Sequence, residues 1–315
     1  MSTIPSLDLK DFTSKGPDSR SKFVHDLGTA FTETGFVAIS NHFLKEEVEK
    51  EAYDHIKAFF SLSDTVKQRY ERPDLFGQRG YISKRKEHAK GQKVGDLKEF
   101  YHFGQPLSSI ELVSLGYPEN VWPQEVDALK KSAITVYESL QKTGVVLLQA
   151  IAIYLGLKEN HFNEFVIKGN SILRAIHYFP LSEKEEEGAV RAAAHGDINL
   201  ITLLMGASAE GLEIQHRNGD WVPVTALKDH IVVNVGDMLS RYTNDKLRST
   251  IHRVVNPPAT NKNSSRYSFP FFMHPVATMH LNCLPNCIDG NHTKKYEDIT
   301  AGEFLTQRLK EIGLK

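Results

Sequence analysis

In the stretch RAAAHGDINLITLL (191–204), His195 and Asp197 stand two residues apart at the front of an apolar, strand-like run. On an extended chain residues i and i+2 point to one side, so the imidazole and the carboxylate are expected to converge. Both groups can ligate a metal, but His-x-Asp alone is equally the pattern of a hydrogen-bonded histidine beside a turn aspartate. A third ligand would decide. Several later histidines could supply it, and His252 in RSTIHRVV is the best placed, because it lies in another strand-like run of the same predicted sheet. Two imidazoles and one carboxylate that leave other positions open form the facial set used for non-haem Fe(II) oxygen chemistry. The same donors can also hold zinc and activate water for hydrolysis. Further on, RYSFPFF puts Arg266 and Ser268 on one strand face. A guanidinium fork with a hydroxyl beside it suits a buried carboxylate, and a structural ion pair with one of the chain's acidic residues is the plain alternative.

These residues need a rigid frame, and the pattern around them supplies one. From Ser171 onward, SILRAIHYF, NLITLLM, GLEIQH, DWVPV, HIVVNV, DMLSRYT, STIHRVV, RYSFPFFMHP and ATMHL are short β-rich runs divided by Gly, Asn, Asp and Pro. So many strands at this spacing predict a mainly β chain with flanking helices, its core a double-stranded β-helix (jelly roll). The first 170 residues are mainly helical in pattern. DSRSKFVHDLGTAFTETGF has Asp18 as a capping candidate, Phe23, Leu27 and Phe31 about one turn apart, and Gly35 as a stop before the strand-like FVAIS. A second helix is expected over 44–60, and a long one over 123–157 that supports the sheet. The segment 77–104, rich in Gly and charge, reads as loop, either a substrate lid or a solvated connection. SEKEEEG (182–188) reads as a solvated loop, and an amphipathic helix over 300–312 closes the chain.

Composition limits the partners. The chain has 315 residues and a formal charge of −1, with basic and acidic residues interspersed, so nothing suggests a nucleic-acid footprint and a small-molecule substrate is the better expectation. The start, MSTIPSLDLKDF, does not read as a secretory signal. The most apolar run (144–157) is shorter than the roughly 20 residues of a membrane span and contains Gln149. Cys283 and Cys287, the only cysteines, fit neither a disulfide framework nor a zinc pattern. The expectation is a cytoplasmic enzyme, monomer or homodimer, with no membrane partner.

The order His-x-Asp, then His, then Arg-x-Ser resembles the Fe(II)/2-oxoglutarate-dependent dioxygenase superfamily, in its isopenicillin N synthase-like branch. The resemblance covers nearly the whole chain. IPSLDL, AFTETGFVAISNH and GDLKEFYHFG are similar to that branch's N-terminal region. HGDINLITLLMGASAEGLEIQHRNGDWVPV, VVNVGDMLSRYTNDKLRSTIHRVVNP and RYSFPFFMHP are similar to its catalytic core, and YEDITAGEFLTQRL to its closing helix. The implied organisation is an N-terminal dioxygenase region at 1–120, supporting helices at 121–170, a jelly-roll core at 171–282 and a C-terminal segment at 283–315.

By this resemblance His195, Asp197 and His252 are the iron ligands, and Arg266 and Ser268 bind the far carboxylate of 2-oxoglutarate. Tyr178, in LRAIHYFP, takes the tyrosine position of the family's Asn-x-Tyr-Pro stretch and is expected to donate to the same carboxylate. The asparagine position is Ile176, so a polar contact to the iron-bound end of the cosubstrate is lost or supplied elsewhere. Gly196 and Ile198 stand where many relatives carry Thr and Phe. The implied reaction consumes O2 and 2-oxoglutarate, releases succinate and CO2, and oxidises a C–H bond of the substrate, hydroxylation being the default. Some members of the branch do without 2-oxoglutarate, and Ile176 keeps that alternative open. A zinc hydrolase leaves Arg266 and Ser268 without a role, and a non-catalytic binding module would be expected to have lost a ligand.

Other residues are not assigned. His177, His216, His230, His274, His280 and His292 are each more simply hydrogen-bonded or exposed. Arg79, Tyr81, Asp96 and Glu99 either line the substrate entrance or tie the long loop to the core. Leu203, Leu204 and Met205 read as core.

Overall fold

The apolar runs of the second half fold as two sheets, and strands from the first half extend the larger of them. The computed structural model describes residues 4–84, 86, 96–181, 190–205, 211–224, 229–257, 263–288 and 293–311. The acidic run 182–188, the middle of 77–104 and His292 lie outside the described residues. The strands are β1 (Ser6–Asp8), β2 (Phe36–Ser40), β3 (Gly80–Ile82), β4 (Glu99–Gly104), β5 (Ile172–Tyr178), β6 (Ala192–His195), β7 (Ile201–Met205), β8 (Leu212–Gln215), β9 (Trp221–Pro223), β10 (His230–Val235), β11 (His252–Val254) and β12 (Arg266–Met273). The major sheet runs β1-β2-β10-β7-β12-β5-β4-β3 and the minor sheet β6-β11-β8-β9, the face-to-face arrangement of a jelly roll.

The helices are α1 (Lys10–Thr13), α2 (Pro17–Glu33), α3 (Glu46–Phe60), α4 (Asp64–Gln68), α5 (Ser109–Leu115), α6 (Ala128–Tyr154), α7 (Asn163–Val166), α8 (Asp237–Tyr242) and α9 (Ala301–Glu311). They cover one face of the major sheet through a core that includes Leu27, Phe31, Phe59, Tyr137, Leu147, Leu203, Phe269 and Phe271. Gly144 lets α6 lie close on β12, since a Cβ there would stand 2.5 Å from the Met273 sulfur. The opposite face meets the minor sheet over a smaller cluster of Phe36, Phe100, Ile176, Tyr178, Leu212, Ile214, Val232 and Val254.

Five local expectations change. Asp18 is not the cap of α2: Gly16 holds the N-cap position, Pro17 opens the helix, and Asp18 lies in the first turn, where its charge faces the helix N-terminus favourably. The long helix begins at Ala128, after a 3-10 turn at Gln124–Val126. DMLSRYT forms α8 because Gly236 breaks the strand before it, and ATMHL contributes only an isolated bridge, His280 to Thr300. Segment 77–104 is not all loop, since both of its ends pair into the sheet as β3 and β4. Every residue of β4 is buried, so it lacks the alternation that marks a half-exposed strand.

Candidate active site

His195 is the last residue of β6 and His252 the first of β11, and the two are direct partners across the antiparallel ladder. Asp197 is not on the strand with His195. β6 ends at His195, and Asp197 lies in the crossing that carries the chain from the minor sheet to β7 of the major one. The convergence therefore comes from a turn away from the strand, not from strand alternation. Asp197 Oδ1 stands 4.0 Å from His195 Nε2 and 3.8 Å from His252 Nε2. One ligand atom from each of the three residues lies within 4.8 Å of the others.

The hydrogen bonds around these atoms leave the metal-facing lone pairs unspent. His195 donates from Nδ1 to Ala193 O at 2.7 Å and His252 from Nδ1 to Thr250 O at 3.2 Å, which leaves each Nε2 as the acceptor nitrogen. Asp197 Oδ2 accepts from the Thr202 hydroxyl at 2.6 Å and the Asn234 amide at 2.8 Å, and Oδ1 points into the triad. Burial opposes the charged form of Asp197, but the two imidazoles and these two hydrogen bonds outweigh it and hold the carboxyl below its ordinary value. Burial and His252 lower the pKa of His195, keeping it neutral. Two imidazole nitrogens and one carboxylate oxygen on one side of a point fit a divalent iron ion, and the donor set leaves the opposite side open.

Two cavities meet at this point. One lies between the sheets and is lined by Arg266, Ser268, Tyr178 and Ile176 together with Asp197 and both triad histidines. Arg266 pairs with Tyr178, and Ser268 with Ile176, across β12 and β5. The Arg266 guanidinium carbon lies 4.9 Å from the centre of the Tyr178 ring. The other cavity, of about 300 Å³, is mainly apolar and is walled by Ile172, Ile198, Ile251, Phe272, Leu305 and Leu309. Lys98, Arg174, His195, Asp197 and Phe272 line both.

The strands explain that continuity. Arg266, Ser268, Pro270 and Phe272 share one face of β12, as Ile172, Arg174, Ile176 and Tyr178 share one face of β5. Pro270 interrupts the pairing of β12 with β5 beside Arg174, so its missing N–H falls in a gap of the ladder. Arg174 is fixed from two sides: Nε donates to His102 Nε2 at 2.6 Å, and the guanidinium lies 4.2 Å from the centre of the Phe100 ring.

Of the unassigned residues, Asp96 lines the apolar cavity, accepting from Lys98 and from the Ala193 N–H. Arg79, Tyr81 and Glu99 tie the segment to the core. Glu99 accepts from Lys67, Tyr81 and His177, and Arg79 is buried, its N–H groups reaching Gln78 O and Asn170 Oδ1. Leu203 and Met205 are core, whereas Leu204 lines the inter-sheet cavity. His274, expected to be hydrogen-bonded or exposed, is neither at its Nδ1. It lines the apolar cavity, buried, with Nδ1 lacking a hydrogen-bond partner among the described residues, and burial pushes its pKa down to about 4. The residues missed in the sequence are Thr202 and Asn234, whose signal was a lone polar residue inside an apolar strand run.

Comparison with known proteins gives a consistent result. Residues 4–125 match the family described as non-haem dioxygenase in morphine synthesis N-terminal, and residues 169–275 match the 2OG-Fe(II) oxygenase superfamily. The proline hydroxylase buaE of Petromyces alliaceus is 32% identical, over 97% of this chain and 98% of its own. A crystal structure of a 2OG-Fe(II) oxygenase family protein from Caulobacter crescentus is 40% identical, with a TM-score of 0.88 over 99% of this chain and 100% of that one. A full-length Neurospora crassa protein, crystallised in complex with alpha-KG and thymine, is 29% identical, with a TM-score of 0.85 over 98% of this chain and 96% of that one.

Proposed function

The chain belongs to the 2OG-Fe(II) oxygenase superfamily, and from that premise we propose that His195, Asp197 and His252 hold its iron while Arg266, Ser268 and Tyr178 hold the far carboxylate of 2-oxoglutarate. It is an Fe(II)- and 2-oxoglutarate-dependent dioxygenase acting on a small organic molecule. The bound metal and cosubstrate together supply the oxidising power, drawn from O2, that converts 2-oxoglutarate to succinate and CO2 and hydroxylates a C–H bond. The chain's own groups orient the partners. Arg266 presents a planar fork to a carboxylate, Ser268 adds a hydroxyl, and the apolar cavity excludes water from the reacting carbon.

The observation that carries this reading is the meeting of the two cavities at His195 and Asp197, one reaching the Arg266–Ser268 pair and the other an apolar chamber of about 300 Å³. Ile176 stands where the family resemblance implies an asparagine, and Arg174, two residues earlier on the same face of β5, brings a polar group to the shared wall. In the apolar chamber His274 offers a hydrogen bond, so the substrate we infer is largely apolar with at least one polar function. Thymine in the Neurospora crassa complex and proline in the name of the Petromyces alliaceus relative lie within that range of size. We retain the division at 1–120, 121–170, 171–282 and 283–315, and read the enzyme as cytoplasmic, monomeric or homodimeric, with no nucleic-acid or membrane partner. The near-zero net charge supports that reading, and no helix among the described residues is long and apolar enough to cross a membrane.

Anaerobic titration of the Fe(II)-loaded protein with 2-oxoglutarate tests the assignment through the visible metal-to-ligand charge-transfer band. The band is expected with wild type and to need a much higher 2-oxoglutarate concentration in Arg266→Ala. An equal band in both would remove Arg266 from the cosubstrate site, and a screen by succinate release then identifies the substrate.

A further inference from the structure

A third cavity, of about 600 Å³, shares only Arg308 with the apolar chamber, and four arginines line it: Arg217, Arg241, Arg248 and Arg308. Its two carboxylates are already engaged. Asp237 accepts from Arg308 at 2.9 Å and from the Ser249 hydroxyl, and Asp245 accepts from Lys295 at 3.0 Å and from the Tyr296 hydroxyl. The other three guanidiniums have no carboxylate partner among the described residues. Arg217 donates to Thr32 O at 2.9 Å, Arg241 to Glu297 O at 2.6 Å and Arg248 to Gln215 O at 3.4 Å.

Backbone carbonyls satisfy N–H groups without neutralising charge. Thr32 lies in the last turn of α2, whose C-terminal dipole offsets at most about half of one charge. Arg241 is held in place by the rings of Tyr296 and Phe304, at 4.8 and 5.6 Å, with its Nε buried and lacking a hydrogen-bond partner among the described residues. Burial and the neighbouring Arg217 both press against the charged form of Arg248. Cations gathered without counter-charge repel one another, and an anion among them would turn that repulsion into binding energy.

We propose that this cavity binds a phosphate monoester, its phosphoryl group gripped by Arg217, Arg241 and Arg248. A tetrahedral dianion has enough acceptor oxygens to take hydrogen bonds from three guanidiniums at once, whereas a carboxylate has two. The cavity is also large for orthophosphate alone, leaving room for the esterified group. The site is separate from the iron and cosubstrate residues, and the Arg308–Asp237 ion pair stands between it and the apolar chamber.

The test is calorimetric titration of the anaerobic holoenzyme, with Fe(II) and saturating 2-oxoglutarate, using glycerol 3-phosphate and orthophosphate in parallel at constant chloride. The expected result is saturable binding of the monoester, tighter than that of orthophosphate, and weakened about tenfold or more in Arg217→Gln and in Arg248→Gln. Without phosphate, Arg248→Gln is expected to keep or raise the melting temperature, because it removes repulsion. No binding of the monoester would overturn the proposal, as would binding that persists in the double variant or is displaced by raising 2-oxoglutarate. Orthophosphate binding as tightly as the monoester would overturn the ester assignment, and a lower melting temperature for Arg248→Gln without phosphate would mark the arginine as structural.

Discussion

His195 and His252 face each other across the β6–β11 ladder with ring centroids 4.4 Å apart, and each donates from Nδ1 to the backbone carbonyl two residues before it. The same local device fixes both rings. It sets the tautomer that presents Nε2, and because it uses backbone acceptors no second side chain has to be placed for either histidine.

Loss of a triad side chain is expected to abolish tight iron binding without unfolding the chain. In His252→Ala the far-ultraviolet circular dichroism should match wild type, while anaerobic Fe(II) titration shows no stoichiometric site. Stoichiometric binding in that variant would exclude His252 as a ligand.

Asn234 holds the non-coordinating oxygen of Asp197 from a neighbouring strand, sharing the task with Thr202. Asn234→Leu should weaken metal affinity by about 10–100-fold, since outer partners orient ligating carboxylates. Isothermal titration with Mn(II) as a redox-silent substitute measures the change, and an unaltered affinity would show that Thr202 alone suffices.

Glu99 contributes a pH-dependent part of stability. Burial opposes its charged form, but hydrogen bonds from His177, Lys67 and Tyr81 prevail and bring its pKa from 4.5 to about 2. A carboxyl lowered by folding stabilises the protein above its unfolded pKa and loses that contribution as pH falls towards its folded one. Wild type should therefore lose stability between about pH 4.5 and 2, and Glu99→Gln should be flatter over that window. At neutral pH the same variant should be less stable by about 1.5–3 kcal/mol, because Lys67 loses its buried charged acceptor and keeps the exposed Asp64, at 3.0 Å, as its charged partner. Urea unfolding at several pH values separates the two effects.

A methyl group at Gly28 would stand 2.1 Å from the Tyr154 ring, where α2 crosses α6. Gly28→Ala gains helix propensity but forces that ring to move, and the clash should win, with a net loss of about 1–3 kcal/mol. Thermal unfolding of Gly28→Ala alone and with Tyr154→Ala checks the cause: the second change should recover part of the loss.

Much of the site was legible locally, because period-two alternation is a property of the extended chain. It placed Arg266 and Ser268 on one face of β12 and assigned His252 to a strand in the same sheet as His195. It misplaced Asp197 onto the strand of His195, since whether a strand continues past a glycine depends on which sheet its next segment joins. β4 was missed for the opposite reason: a strand buried on both faces has no alternation to read.

By itself, then, the sequence determined the ligand types, the shared strand face of Arg266 and Ser268 and the family resemblance, all carried by residues in short ordered motifs. Only the tertiary structure decided how those motifs are completed. It set Asn234 against Asp197, His102 against Arg174 and His274 in the apolar chamber, and it gathered the arginines of the third cavity from positions 217 to 308. These groups meet through sheet register and helix packing, and no local spacing encodes a contact between residues so far apart in the chain.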